Sequence, residues 1–177
     1  MPTATKPAKA IKKAAPKKSA QAQADDFVGR LAPSFSRPAT KIGKVSSTAL
    51  KGKPYILYFY PKDDTSGCTA EACDFRDALP HFATLGVTVI GASKDDLKSH
   101  EKFAKKYNLS FPLISDTDGD LCEKFGVWVQ KSMYGRRYMG IERSTFLIDA
   151  KGIVRHVWRK VSVPGHAEEV KQAIAAL

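Results

Sequence analysis

The chain has 177 residues, 43% hydrophobic and 27% charged, the proportions of one soluble globular domain. Those proportions exclude a collagenous or mostly disordered chain, and no apolar run approaches the roughly 20 residues of a membrane-spanning helix. Three cysteines are too few, and odd in number, for a secreted disulfide scaffold; 29 basic against 18 acidic residues leave a net charge of +11 whose location decides its meaning.

Residues 1–24 hold six lysines and no acid, in a mixture of Ala, Lys, Pro, Thr, Ser and Gln. Such a segment cannot bury enough apolar surface to offset the entropy of ordering, so it is predicted to be a disordered tail on a domain spanning 25–177. It lacks the apolar stretch of a secretory signal. A solubilising role, a weak salt-sensitive contact with nucleic acid or another polyanion, and a nuclear or nucleoid address are all open to it.

The domain begins with a lead-in of short strands or turns from Asp26 to Lys53. Pro54 to Tyr60 is a continuous apolar and aromatic run, the pattern of a strand buried on both faces. A polar turn over Pro61 to Gly67 precedes a helix through about Thr84. A second buried strand is expected over Val87 to Ala92, a helix over Asp95 to Tyr107, a short strand over Phe111 to Ile114 and a helix over Asp120 to Phe125. The stretch from Gly126 to Gly140 reads as a long loop. Ser144 to Ile148 and Ile153 to Trp158 read as strands joined by a hairpin turn at Asp149 to Gly152, and a last helix covers about Gly165 to Leu177. This order predicts a three-layer α/β domain, a mixed sheet flanked by helices.

The chemistry concentrates in Tyr60-Pro-Lys-Asp-Asp-Thr-Ser-Gly-Cys-Thr-Ala-Glu-Ala-Cys73. Here a cysteine stands where a buried strand gives way to a helix, the side of an α/β sheet on which ligands bind. At a helix N-terminus, Cys68 meets unpaired backbone N–H groups and the positive end of the dipole, both of which favour a thiolate. Arg143, at the start of a later strand, is a candidate to add a guanidinium. Cys73 follows at Cys-x4-Cys spacing, which matches neither redox Cys-x2-Cys dithiols nor zinc sites. Residues five apart in an intact helix lie about 8.7 Å apart at Cα. A disulfide needs less than about 7 Å, so pairing requires the first turns to unwind; the alternative is that Cys73 is core. Cys122 sits in a plain amphipathic pattern and reads as core. The role of Glu71 stays open, exposed helix carboxylates being usually just solvated, and His81, His100, His156 and His166 are assigned none.

Pro61-x3-Thr65-x2-Cys68 resembles the active-site signature of the peroxiredoxins. The longer string from Tyr58 to Asp77, with Leu121 to Trp128, Tyr138 to Arg143 and Ser144 to Asp149, is similar to the bacterioferritin comigratory protein or peroxiredoxin Q branch. Ser66 stands where that branch usually has proline. The resemblance implies a thioredoxin-like fold and thiol-dependent reduction of hydrogen peroxide and organic hydroperoxides, without a metal or other cofactor. It makes Cys68 the peroxidatic and Cys73 the resolving cysteine, with Pro61, Thr65 and Arg143 completing the peroxide pocket. It further implies a monomer recycled by thioredoxin or a similar dithiol, and the cysteine usage fits a reducing compartment, the cytoplasm. Two other readings of the same residues are a general protein thiol–disulfide oxidoreductase and a polyanion-binding protein acting through its basic tail.

Overall fold

A computed structural model describes residues 24–177. The expected tail therefore falls outside the described residues, except Ala24. That residue is buried, and its carbonyl accepts from Phe27 N at 3.0 Å, so the fold already includes it.

Among the described residues, nine strands and four further helices follow. They are β1 (Ser36–Ala39), β2 (Gly43–Ser46), β3 (Tyr55–Phe59), α1 (Ser66–Thr84), β4 (Thr88–Ser93), α2 (Leu97–Lys106), β5 (Leu113–Ser115), α3 (Leu121–Lys124), β6 (Trp128–Met133), β7 (Arg136–Ile141), β8 (Ser144–Ile148), β9 (Val154–Trp158) and α4 (His166–Ala175). Seven strands form one sheet in the order β2-β1-β5-β4-β3-β8-β9. The β3–β4 and β4–β5 pairs are parallel, while β3–β8, β8–β9, β1–β2 and β1–β5 are antiparallel, so the sheet is mixed as expected.

Strand β3 is buried at every position, which is why its sequence is an unbroken apolar run rather than an alternating one. Its side chains, with that of Tyr60 just beyond its end, divide between two apolar layers. Ile56, Tyr58 and Tyr60 pack with Cys68, Ala72, Phe75 and Phe82 of α1 and with Val170 and Ile174 of α4. Tyr55, Leu57 and Phe59 face the other way, onto Leu121, Cys122, Phe125 and Phe146. This alternation fixes the register of β3 and aims its carboxyl end, and hence α1, at one edge of the sheet.

The Gly126–Gly140 stretch is not a loop. It forms a second, two-stranded sheet, β6 paired antiparallel with β7 from Trp128↔Ile141 to Met133↔Arg136. Most of its side chains are exposed, so no buried run or clean alternation marks it in the sequence. The readable signal is Tyr134-Gly135, whose φ values of 50° and 76° suit a two-residue type I′ hairpin turn. No helix among the described residues is long and apolar enough to cross a membrane.

Candidate active site

The site is built where β3 stops. Tyr60 N still bonds to Ala92 O of β4 at 3.1 Å, after which Pro61 to Thr65 turn the chain into α1. Thr65 is the N-cap, extended at φ −96° and ψ 156°, and its side chain does not cap the helix. Its hydroxyl instead donates to Lys62 O at 2.9 Å, and its own carbonyl accepts from Thr69 N at 2.8 Å. Pro61 is exposed at the head of this turn, and Ser66 is the first helical residue.

Cys68 lies in the first turn of α1, 1% exposed, where backbone N–H groups have no helical partner. Arg143, on the short link between β7 and β8, reaches it across the sheet edge. Arg143 Nη2 donates to Cys68 Sγ at 3.4 Å. Its other terminal nitrogen, Nη1, donates to Glu71 Oε2. Cys68 and Glu71 are three residues apart and so share a helix face, which one guanidinium can span. Gly67 makes the approach possible: a Cβ there would lie 3.1 Å from Arg143 Nη2.

Glu71 is therefore not a solvated carboxylate. It is 1% exposed, and burial pushes its carboxyl up to about 7 although the Arg143 charge and hydrogen bond oppose the shift. Its second oxygen, Oε1, has no hydrogen-bond partner among the described residues. The sequence did hold a signal: Glu71, Phe75, Ala78 and Phe82 recur at helical spacing, and all four are buried. Burial also acts against the Arg143 charge, but Glu71 and Cys68 outweigh it and leave the guanidinium above its ordinary value.

Two further groups face this centre. Tyr58, buried below it on β3, has a hydroxyl with no hydrogen-bond partner among the described residues; burial, then the charges of Glu71 and Cys68, raise its pKa well above the ordinary value. Lys131 of β6 has its pKa lowered by partial burial and by the like charge of Arg143. Neither was singled out from the sequence, where one reads as core and the other as surface.

Cys73 is half-buried on the same intact helix, and both it and Cys68 are free thiols. With α1 unbroken from Ser66 to Thr84, the five-residue separation keeps the pair beyond disulfide reach. Cys122 belongs to the opposite apolar layer, away from Cys68, and burial followed by the Asp116 carboxylate push its thiol far up. His100 is fully buried and bonded to Asp63, and His166 is bonded to Thr145 at 2.7 Å, so both carry structural contacts that their scattered positions did not reveal.

Residues 28–157 match the model of the AhpC/TSA family. The chain is 47% identical over 147 residues to peroxiredoxin Bcp of Bacillus subtilis, covering 83% of this chain and 94% of that protein. It is 42% identical over 142 residues to peroxiredoxin Bcp of Escherichia coli, covering 80% and 91%. Among solved structures it is similar to peroxiredoxin Q of Xanthomonas campestris, with a TM-score of 0.77 and 44% identity over 80% of this chain and 90% of that one. A structure of the bacterioferritin comigratory protein of the same organism, described for its alkyl peroxide reduction activity, gives a TM-score of 0.77 at 43% identity over the same shares. With the cysteine, guanidinium and threonine gathered at the start of α1, and with relatives this similar over nearly their whole length, the chain belongs to the AhpC/TSA family, in its peroxiredoxin Bcp and peroxiredoxin Q branch.

Proposed function

We propose that this peroxiredoxin, a thiol peroxidase, reduces hydrogen peroxide and alkyl hydroperoxides at Cys68 and closes the cycle through Cys73. The observation that carries the reading is the guanidinium of Arg143, which donates to the Cys68 sulfur while Glu71 holds its other side. A thiolate beside a fixed cation and open helix N–H groups is both stabilised and aimed.

In the first step the Cys68 sulfur attacks one oxygen of the peroxide and the O–O bond breaks. That oxygen keeps its proton on sulfur as a sulfenic acid; the other departs as water or alcohol, taking up a proton equivalent to the one the Cys68 thiol released on becoming a thiolate. Arg143 stabilises the charge that moves along the breaking bond. The Thr65 hydroxyl donates its hydrogen bond to Lys62 O, which leaves its oxygen lone pairs free to accept from the peroxide O–H. Pro61, at the mouth of the turn, keeps bulk water off the sulfur.

In the second step the first turns of α1 unwind, the Cys73 thiol condenses with the sulfenic acid, and water leaves as the disulfide forms. A dithiol of the thioredoxin type then reduces that disulfide by exchange. This cycle suits a monomer in a reducing compartment such as the cytoplasm. The test is peroxide turnover coupled to thioredoxin, repeated with Cys68→Ser. Turnover should vanish in the variant, and its persistence would remove Cys68 from the mechanism.

A further inference from the structure

The turn that carries Thr65 into α1 is fastened to α2 by two aspartates. Asp63 is buried and accepts from Tyr60 Oη at 2.6 Å, from Ser99 Oγ at 2.8 Å and faces His100 Nδ1 at 2.7 Å. Its backbone N donates to Asp95 Oδ2 at 2.9 Å, and Asp95 is held in turn by Ser93 Oγ at 2.7 Å. His100 Nε2 lies 3.0 Å from Ile114 O. The ring thus bridges the Asp63 carboxylate on the turn and the Ile114 carbonyl of β5. The neighbouring Asp64 accepts from Lys106 Nζ at 2.9 Å and from Tyr107 Oη at 2.6 Å, at the far end of α2. Asp64 also sits at φ 55°, in the left-handed region that aspartate tolerates better than most residues.

Asp63, Asp95 and His100 bring ligand atoms within 4.8 Å of one another, but each is already engaged by protein hydrogen bonds, and nothing at the cluster points to a metal. What the cluster does hold is the turn. Thr65 and Cys68 lie within five residues of Asp63, and the segment that must unwind for disulfide formation, Ser66 to Cys73, begins two residues after Asp64. With the turn fastened, unwinding frees only a short chain tied at both ends and gains little conformational entropy. With the turn loose, the freed chain is longer and its opening less costly.

We propose that Asp63 and Asp64 are positioning residues that latch the active-site turn onto α2 through His100, Ser99, Lys106 and Tyr107, holding Cys68 ready for peroxide and restraining the unwinding that lets Cys73 reach it. The proposal rests on the peroxidatic and resolving roles assigned above. Loosening the latch shifts population from the folded to the locally unwound state, so the two chemical steps move in opposite directions.

The experiment measures both steps by stopped-flow fluorescence on the full chain without reductant: oxidation of Cys68 by hydrogen peroxide, then disulfide formation. Asp64→Ala removes the half-exposed clasp without emptying the core; it should form the disulfide several-fold faster and react with peroxide more slowly. Asp63→Ala should change both rates about tenfold or more in the same directions, as expected for loss of hydrogen bonds to a charged group. Asp63→Asn, which keeps the shape and can still pair with Tyr60, Ser99 and His100, should return both rates toward the parent values, a rescue that general loss of stability would not give. Amide hydrogen exchange over Ser66 to Cys73 in the reduced chain should quicken in Asp64→Ala. Unchanged rates and exchange in Asp64→Ala, or slower disulfide formation, would overturn the latch, and that variant decides the matter even if Asp63→Ala does not fold. If the parent itself failed to react with peroxide, the assigned chemistry would fall, while the exchange measurement would still decide the latch.

Discussion

Arg143 and Glu71 form a partly buried ion pair whose cation also donates to the Cys68 sulfur. The carboxylate therefore reaches the reacting atom only through the guanidinium, and each partner sets what the other can do. Replacing Arg143 separates charge from shape. Arg143→Met should slow Cys68 oxidation by peroxide roughly 100-fold or more, the scale for losing a fixed donor at a developing charge. Arg143→Lys keeps the charge but cannot span sulfur and carboxylate together, and should still lose about tenfold. Second-order rate constants for single-turnover oxidation measure both.

The raised carboxyl of Glu71 makes a stability prediction. Its folded value of about 7 stands above the ordinary 4.5, so between those limits the native state binds the proton more tightly than the unfolded chain. Stability from this group is thus present at pH 4.5 and below, and is lost as pH rises to 7 and beyond. The loss is on the order of 2–3 kcal/mol. Urea unfolding at pH 5 and pH 8 should show this extra decline in the parent and not in Glu71→Gln, and equal declines in both proteins would refute it.

Gly67 offers a case in which activity and stability part company. Alanine is the better helix former by up to about 1 kcal/mol. Its Cβ, however, would press on Arg143 Nη2, 3.1 Å away. Gly67→Ala should hold or raise Tm while lowering the peroxide rate several-fold, as read by thermal melts beside stopped-flow traces.

The two other cysteines should behave differently under peroxide. Cys73→Ser removes the partner for the sulfenic acid, so Cys68 should react once and then advance to the sulfinic form with excess oxidant. Cys122→Ser should leave the disulfide intact, because Cys122 is buried in the opposite layer with its thiol pushed up. Peptide mapping by mass spectrometry distinguishes these outcomes, and a Cys68–Cys122 bridge in the oxidised parent would reassign the resolving residue.

Local pattern carried much of the molecule. The unbroken run at Tyr55–Phe59 announced a strand covered on both faces, and the polar turn before Ser66 announced the start of α1. The β6–β7 hairpin escaped because its exposed side chains obey no burial period, leaving only the turn residues Tyr134 and Gly135 to mark it. Glu71 escaped for the opposite reason: a carboxylate on a helix is ordinarily solvated, and only a guanidinium arriving from 72 residues away makes its burial tolerable.

By itself, then, the sequence determined that a cysteine would stand at a strand-to-helix junction with a second cysteine five residues on, since both facts are local in the chain. Arg143 was also named from the sequence, but the tertiary structure decided what else surrounds that cysteine and how the guanidinium is held. Arg143, Glu71, Tyr58 and Lys131 converge on Cys68 from three strands or their ends and one helix, and α2 fastens the turn beneath Thr65. Contacts of that kind depend on sheet order and register, which fix the positions of elements far apart in the chain, and no local period encodes them.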